Sequence, residues 1–192
     1  MNRIRRLAVY CGSAMGSDPR YADTADALAK VMVSNGVDLV YGGGKLGLMG
    51  RIADAVLAEG GDVFGVIPEA LVNLEVAHGG LTELHRVANM HERKAKMTDL
   101  ADAFVALPGG IGTLDELFEA WSWNALGYHA KPFCLLNVAN FWDGLVDFIE
   151  HATAKGFLSQ QRRGQLLVAN CPEQALKALD EAAGTAEQGM VW

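Results

Sequence analysis

The stretch ALPGGIGTLDELFEAW, residues 106–121, places a glycine-rich turn directly before a helical pattern. Gly109, Gly110 and Gly112 remove side chains from the turn, so that backbone N–H groups can point at a bound group. The unpaired N–H groups at a helix start carry partial positive charge, and together they suit a phosphate. Glu116 follows one helical turn later, where a carboxylate can accept a proton or stabilise positive charge.

Glu116 also has a purely structural interpretation. Thr113 and Glu116 match the T-x-x-E capping box, in which both side chains bond to backbone N–H groups of a helix that begins at Thr113. Spacing alone favours capping. The two roles do not exclude each other, because a carboxylate released from capping can face a ligand.

The stretch MHERKAKM, residues 90–97, concentrates cations in a chain whose net charge is −7. Arg93 can bind a phosphate or carboxylate through its planar guanidinium, and Lys94 can bind the same groups as a point charge. A solvated helix face has the same composition, so this stretch alone does not identify a site.

These stretches are embedded in a chain that alternates short apolar runs with helical patterns. The alternation predicts an α/β fold, a doubly wound, Rossmann-like parallel sheet between two layers of helices. We interpret residues 1–192 as one domain with a polar tail over 183–192. Strands are predicted at 7–12, 37–43, 62–68, 103–110 and 132–138, with a weaker one at 83–88. Helices are predicted at 21–36, 48–61, 90–101, 113–127, 141–156 and 172–183.

Glycines gather where such a sheet binds its ligands, beyond the carboxyl ends of the strands. CGSAMGS follows the first predicted strand, YGGGKLGLMG the second and LPGGIGT the fifth. Turn formation alone does not require so many glycines at strand ends. Ser13, in the first of these loops, lacks the G-x-S-x-G context of a nucleophile, and we expect its hydroxyl near the ligand instead.

Dinucleotide binding is an alternative use of the second glycine loop. Gly42, Gly44 and Gly47 satisfy G-x-G-x-x-G, and Glu69 lies about twenty residues further on. The pattern follows the second strand rather than the first, which weakens this interpretation. A Walker-type phosphate loop is excluded, because Lys45 is followed by leucine instead of serine or threonine.

The overall composition excludes several classes of protein. A net charge of −7 argues against a general nucleic-acid or anionic-membrane binder, which would carry a basic face. Cys11, Cys134 and Cys171 form no C-x-x-C pair, and the histidines form no H-x-x-x-H pair, so we expect neither a disulfide framework nor a metal site. Because signal-peptide and membrane-spanning patterns are lacking, the sequence predicts a cytoplasmic protein.

Taken together, these motifs resemble those of the LOG (Lonely Guy) family of cytokinin riboside 5′-monophosphate phosphoribohydrolases, whose members were long mislabelled lysine decarboxylases. PGGIGTLDE matches the signature P-G-G-x-G-T-x-x-E, and MHERKAKM matches the companion segment M-x-x-R-K. The similarity extends from VYCGS through YGGGKLGLMG, IPEAL and KPFCLLNV to GFLSQ. Asp115 departs from the pattern, since glutamate is more usual there, but it keeps the charge.

The resemblance implies an enzyme that hydrolyses the N-glycosidic bond of a nucleoside 5′-monophosphate, without metal or organic cofactor, to a free base and ribose 5-phosphate. It places Arg93 and Glu116 at catalytic positions. Family members form dimers or larger assemblies, so it also implies a homodimer. We expect contacts with the substrate or its phosphate at Gly12, Ser13, Gly43, Gly44, Glu75, Lys94, Gly109, Gly110, Ile111, Gly112 and Thr113.

Two alternatives use the same glycine loops. One is a non-catalytic carrier of a nucleotide or cofactor with the same fold, such as the molybdenum-cofactor carrier proteins, and the other is an NAD(P)-binding protein. Arg93 and Glu116 distinguish the enzyme, because a carrier does not need a carboxylate at the sugar. A pyridoxal-phosphate decarboxylase is not favoured, since no lysine here has the framework that such a site requires.

The helix after the third glycine loop, LDELFEAWSWNALGYH, is hydrophobic nearly all round. A surface helix normally has a limited apolar stripe, so this pattern predicts burial on two sides, one against the sheet and one against a second copy of the chain. We therefore interpret Phe118, Trp121 and Tyr128, together with Trp123, as core or interface residues rather than as a base-stacking cluster.

Overall fold

Seven strands and seven α-helices lie along residues 3–72 and 76–188, the part of the chain that the computed structural model describes, the side chains of 185–188 excepted. The strands are β1 (Arg6–Tyr10), β2 (Asp38–Tyr41), β3 (Val63–Pro68), β4 (Glu83–Val87), β5 (Ala103–Ala106), β6 (Phe133–Leu136) and β7 (Leu166–Ala169). The helices are α1 (Pro19–Ser34), α2 (Gly47–Ala58), α3 (Met90–Leu100), α4 (Ile111–Ala125), α5 (Asp143–Ala154), α6 (Gln160–Gln165) and α7 (Pro172–Gln188). Across these same ranges, no helix has the length and apolar composition to cross a lipid bilayer.

The seven described strands pair in one parallel sheet, in the order β4-β3-β2-β1-β5-β6-β7. The chain proceeds in one direction from β1 to β4, and then in the opposite direction from β5 to β7. The switch lies between β1 and β5, whose last residues Tyr10 and Ala106 are register partners. Loops that follow these two strands border the crevice in which such sheets bind ligands.

Helices cover both faces of the sheet, and its inner strands are buried on each side. On one face α1, α2 and α7 pack against the strands, with Leu28, Ile52 and Leu179 fully buried. On the other face α3, α4 and α5 do so, with Leu117 and Ile149 buried. The three layers confirm the predicted doubly wound, Rossmann-like α/β fold.

The structure adds two elements that the sequence did not predict. β7 is an edge strand with only two of its four residues buried, and the six-residue α6 directly precedes it. α6, QQRRGQ, lacks a sustained helical period, whereas β7, LLVA, is an apolar run of four residues that the sequence analysis missed. α7 also extends to Gln188, so the tail expected over 183–192 is helical over 183–188, and residues 189–192 lie outside the described part of the chain.

Candidate active site

A cavity of about 250 Å³ opens beyond the carboxyl ends of β1 and β5, between the first turns of α3 and α4. Its wall contains residues from both stretches with candidate chemical groups, 90–97 and 106–121, and from the loop after β1. Arg93 and Glu116, predicted as catalytic, both lie in its wall. The cavity is lined by Cys11, Gly12, Ser13, Met49, Leu71, Met90, Arg93, Gly110, Ile111, Gly112, Thr113, Asp115 and Glu116.

Several lining residues were not predicted from the sequence. Met49, Leu71 and Met90 give the cavity an apolar wall beside its polar groups. Met90 stands at the first position of the M-x-x-R-K segment, so that motif held a signal for it. Met49 and Leu71 come from other elements of the fold, and they lie in the segments YGGGKLGLMG and IPEAL, which share the family similarity but do not single these residues out.

The start of α4 presents its first backbone N–H groups at this cavity. Gly110 is the N-cap and the helix begins at Ile111, without a side-chain cap. The N–H of Leu114 donates to the Gly110 carbonyl at 3.1 Å, so the N–H groups of Ile111, Gly112 and Thr113 precede the first intrahelical donor. These donors, together with the helix dipole, give the loop the chemistry of an anion-binding site.

The glycines of this loop differ in what surrounds them. A Cβ at Gly109 would overlap the Thr113 side chain and lie 2.9 Å from the backbone N of Gly12, so packing requires glycine there. A Cβ at Gly110 or Gly112 would meet nothing within 4 Å. Neither has a positive φ, so the backbone conformation does not explain these glycines. The open space before them belongs to the cavity.

The capping interpretation of Glu116 is wrong. Because α4 begins at Ile111, Thr113 is the third residue of the helix and Glu116 the sixth, outside the positions of a capping box. Thr113 is only 3% exposed and packs against Gly109 instead. The half-buried Glu116 side chain lines the cavity.

Arg93 is held in place by the loop after β2. Its side chain is only 3% exposed, and its Nη2 donates to the carbonyl of Gly42 at 2.9 Å. A Cβ at Gly42 would overlap the guanidinium, so a side chain there would displace Arg93 or the loop. The start of α3 is fixed as well, because the Asn89 side chain accepts from the N–H of Glu92 at 2.9 Å. The structure thus gives the cavity a rigidly mounted cation.

Other glycines of the loop after β2 are accounted for by contacts within the chain. Gly43 has a φ of 77° and its carbonyl accepts from the N–H of His78 at 3.0 Å, while Gly44 forms an isolated bridge with Ala77. Neither glycine lines the cavity, so substrate contact at Gly43 and Gly44 stays a prediction. Glu75 lies outside the described residues, and its substrate contact also stays a prediction.

The remaining residues of the dinucleotide pattern also have partners within the chain. Glu69 follows β3, and its carboxylate accepts from Arg86 on β4 at 3.2 Å. Gly47, with a φ of 60°, begins α2 and lies against the backbone of Ser13 and Ala14. Neither Glu69 nor Gly47 lines the cavity.

Lys94 points toward α4. Its Nζ lies 3.1 Å from Asp115 Oδ2 and 2.7 Å from Glu119 Oε2, and its side chain is only 15% exposed. Burial alone would lower the pKa of Lys94, but its interactions with the Glu119 and Asp115 carboxylates outweigh burial and raise the pKa. Lys94 is not among the residues that line the cavity, although it was predicted to contact the substrate.

The end of β1 carries two groups that stay neutral beside Glu116. Burial, and then the Glu116 carboxylate, raises the pKa of the Cys11 thiol. Burial also raises the pKa of Tyr10, with further contributions from Glu116 and Glu119. Both groups therefore remain protonated near neutral pH, which leaves the thiol unsuited to nucleophilic attack.

The chain is similar to known proteins over most of its length. The family described as "Possible lysine decarboxylase" matches residues 49–179. The chain is 46% identical over 191 residues to the cytokinin riboside 5′-monophosphate phosphoribohydrolase LOG of Oryza sativa subsp. japonica, covering 100% of this chain and 79% of that protein. It is 44% identical over 176 residues to the cytokinin riboside 5′-monophosphate phosphoribohydrolase of Rhodococcoides fascians, covering 91% of this chain and 89% of that one.

Among solved structures, the fold resembles that of the Moco carrier protein from Chlamydomonas reinhardtii, with a TM-score of 0.72 and 20% identity. The likeness covers 95% of this chain and 99% of that one, and it concerns the fold alone. The sequence matches are of another order, since they extend over almost the whole chain at more than 40% identity. On that ground, the chain belongs to the LOG family.

Proposed function

We propose that this chain hydrolyses the N-glycosidic bond of a nucleoside 5′-monophosphate, releasing the base and ribose 5-phosphate. One observation carries the proposal: the start of α4, Arg93 and Glu116 line the same 250 Å³ cavity. An anion site, a fixed cation and a carboxylate are the groups that such a reaction needs. The relatives' names, cytokinin riboside 5′-monophosphate phosphoribohydrolases, support it independently.

The 5′-phosphate binds at the start of α4 in this proposal. The N–H groups of Ile111, Gly112 and Thr113 donate to its oxygens, and the open space at Gly110 and Gly112 admits them at close range. The Ser13 hydroxyl, which also lines the cavity, is a further donor. The phosphate takes no part in the bond cleavage itself. Its binding energy holds the ribose in position for that step.

Glu116 acts at the sugar. A rise of 1.5 Å per residue places it about 7.5 Å along the axis of α4 from Ile111, a span that the ribose of a bound nucleotide can bridge. As the bond to the base stretches, positive charge builds at the anomeric carbon, and the carboxylate stabilises it. Glu116 also accepts the proton of the attacking water.

Arg93 supplies a fixed positive charge. Its guanidinium is anchored to the Gly42 carbonyl at 2.9 Å, so it needs little reorganisation when the substrate binds. From this position it holds ribose or phosphate oxygens, or assists the departure of the base. The reaction uses no metal and no organic cofactor in this scheme.

The base lies against the apolar part of the wall. Met49, Leu71 and Met90 offer surface to a planar adenine, and the Ile111 side chain, which is 85% exposed, stands at the same cavity. Plain AMP and AMP with an apolar N6-prenyl group are both candidate substrates. AMP nucleosidase activity is accordingly part of the proposal.

Direct measurement of base release tests the proposal. The protein is incubated with AMP and with N6-prenylated AMP, and free base and ribose 5-phosphate are quantified by chromatography. We expect release of both products in equal amounts. Tight binding of the nucleotides without release of base would favour the carrier alternative instead.

The active form is proposed to be a homodimer. Leu117 and Trp121 of α4 are buried within the chain, whereas Phe118 and Leu126 are 37% and 72% exposed. On the neighbouring α5, Phe148 is 65% exposed beside an apolar groove of about 270 Å³. A second copy is the occupant that covers such a face, because two-fold pairing buries the same patch on both chains.

A charge at this face tests the assembly. Phe148→Glu lies on α5 and does not line the active-site cavity, so we expect it to give monomers by light scattering and to abolish turnover. A matched control is Glu181→Gln on the exposed face of α7, which should stay dimeric and active. A fully active monomer at assay concentration would contradict an obligate dimer.

A further inference from the structure

Two adjacent residues of α3 hold different parts of the active site. Arg93 Nη2 bonds to the Gly42 carbonyl, in the loop after β2. Consecutive residues of a helix point about 100° apart, so Lys94 faces away from that loop, and its Nζ meets Asp115 and Glu119 on α4. The start of α3 is thus tied to the sheet on one side and to α4 on the other.

We propose that Lys94 is a positioning residue, which sets α4 against α3 through Asp115 and Glu119 and does not bind the phosphate itself. The inference rests on the proposed function, because the groups it aligns are Arg93 and Glu116. It differs from the expectation that Lys94 contacts the substrate. We refer to Lys94, Asp115 and Glu119 as the α3–α4 clamp.

The distances favour this role over phosphate binding. An ammonium has three donors, and the Lys94 Nζ already meets carboxylates at 2.7 and 3.1 Å. Two of its three donors thus face carboxylates of α4 rather than the cavity. Its side chain is 15% exposed and does not line the cavity, whereas Arg93 does.

The clamp matters because Lys94 offsets the repulsion between carboxylates on α4. Asp115, Glu116 and Glu119 place three carboxylates within five residues of α4. Asp115 and Glu119 are four residues apart, a spacing at which like charges repel, and Lys94 lies between them. Glu119 is only 18% exposed, so loss of Lys94 would leave a largely buried carboxylate without this cation. The first turns of α4 would then move relative to α3.

Such a movement affects the chemical step more than binding. Glu116 lies between Asp115 and Glu119 in α4, so it moves with them. If Glu116 is displaced by about 1 Å relative to Arg93, the rate of the chemical step can fall on the order of 100-fold. The phosphate site, by contrast, consists of N–H groups that stay together as one rigid helix start.

The test compares Lys94→Met with Lys94→Arg, and with Lys96→Met as a matched control on the same helix. Turnover of AMP is measured as separate kcat and KM values, and binding of ribose 5-phosphate is measured by calorimetry. We expect Lys94→Met to lower kcat by about 10- to 100-fold. The KM for AMP and the dissociation constant for ribose 5-phosphate should stay within about twofold. Lys94→Arg should recover most of kcat, because arginine can bond to both carboxylates, and Lys96→Met should resemble the wild type.

A double mutant tests the route of the effect. If Lys94 acts through Glu119, Lys94→Met combined with Glu119→Gln should have a kcat no lower than that of Lys94→Met alone. If the two substitutions together lowered kcat by the product of their separate effects, the clamp would be overturned. Should Lys94→Met fail to fold, Asp115→Asn with Glu119→Gln tests the same clamp from α4, with the same expected split between kcat and KM.

The outcomes separate this inference from the proposed function. Absence of base release by the wild type would overturn both. Suppose instead that the wild type is active and that Lys94→Met binds ribose 5-phosphate more than tenfold more weakly at unchanged kcat. This result would overturn the positioning role alone and would indicate that Lys94 binds the phosphate.

Discussion

The loops after β2 and β5 are both rich in glycine, but glycine serves a different purpose in each. In the loop after β2, a Cβ at Gly42 would overlap the guanidinium of Arg93, and Gly43 has a φ of 77°. In the loop after β5, a Cβ at Gly110 or Gly112 would meet nothing within 4 Å. Packing within the chain explains the first loop, whereas the second faces the open cavity.

The comparison shows why a glycine pattern alone does not identify a phosphate site. Gly42, Gly44 and Gly47 satisfy G-x-G-x-x-G, yet none of them lines the cavity. What matters is the surroundings of each missing side chain. Where those surroundings are protein atoms, the glycine is structural, and where they are open space at a helix start, a ligand can use them.

Glu116→Gln should produce the largest effect. The variant keeps the shape of the side chain but loses its charge and its ability to accept a proton. We expect turnover of AMP to fall on the order of 100-fold or more. Since Glu116 does not cap α4, the free energy of unfolding should change by less than about 1 kcal/mol.

Chemical denaturation and a base-release assay on the same preparation check this prediction. Glu181→Gln, on the exposed part of α7, is the control for the loss of one carboxylate. A fully active Glu116→Gln variant with markedly lower stability would return Glu116 to a structural role, and would also remove the functional contrast between the two loops.

The 5′-phosphate should be required for fast turnover. If the loop after β5 binds the phosphate and uses its binding energy to place the ribose, adenosine should react at least about tenfold more slowly than AMP at equal concentration. The two substrates share base and sugar, so the difference isolates the phosphate. Comparable rates for adenosine and AMP would mean that the open space at Gly110 and Gly112 has another purpose.

Gly42→Ala probes the structural loop. The added Cβ would overlap the Arg93 guanidinium, so either the loop or Arg93 must move. Overpacking of this kind costs about 1–3 kcal/mol of stability, and turnover should fall with it because Arg93 is displaced. Thermal unfolding and kcat are the readouts. A variant with wild-type stability and activity would show that Arg93 is not held by close contact with this loop.

The sequence predicted much of this arrangement, because its signals are local. Strand and helix periods gave the layers of the fold, and the glycines after β1 and β5 marked the edge of the sheet where the cavity lies. The contacts that build the site are long-range. Arg93 bonds to Gly42 across 51 positions and Lys94 to Asp115 across 21, and no local pattern encodes either pairing.

The error over Glu116 has a physical cause as well. A T-x-x-E pattern predicts a cap only when the helix begins at the threonine, and here the chain enters α4 two residues earlier, at Ile111. Gly110 serves as the N-cap without a side-chain bond, which leaves the first N–H groups available to a ligand. The T-x-x-E pattern is thus typical of a capped helix, but it occurs here next to a helix start whose first N–H groups suit a ligand.

Gly112→Ala should have the smallest effect on the stability of the protein. For that reason it gives the clearest test of the difference between the loops after β2 and β5. Gly112 is the second residue of α4, and a Cβ there would meet no atom within 4 Å. Alanine is a better helix former than glycine, so stability should be unchanged or higher by up to about 1 kcal/mol. The methyl group would nevertheless enter the space that we assign to the phosphate. The KM for AMP should therefore rise about tenfold, while the slow turnover of adenosine, which has no phosphate to displace, should stay the same. A stable variant with an unchanged KM for AMP would show that the phosphate does not approach Gly112, and the anion site would have to be sought elsewhere in the cavity.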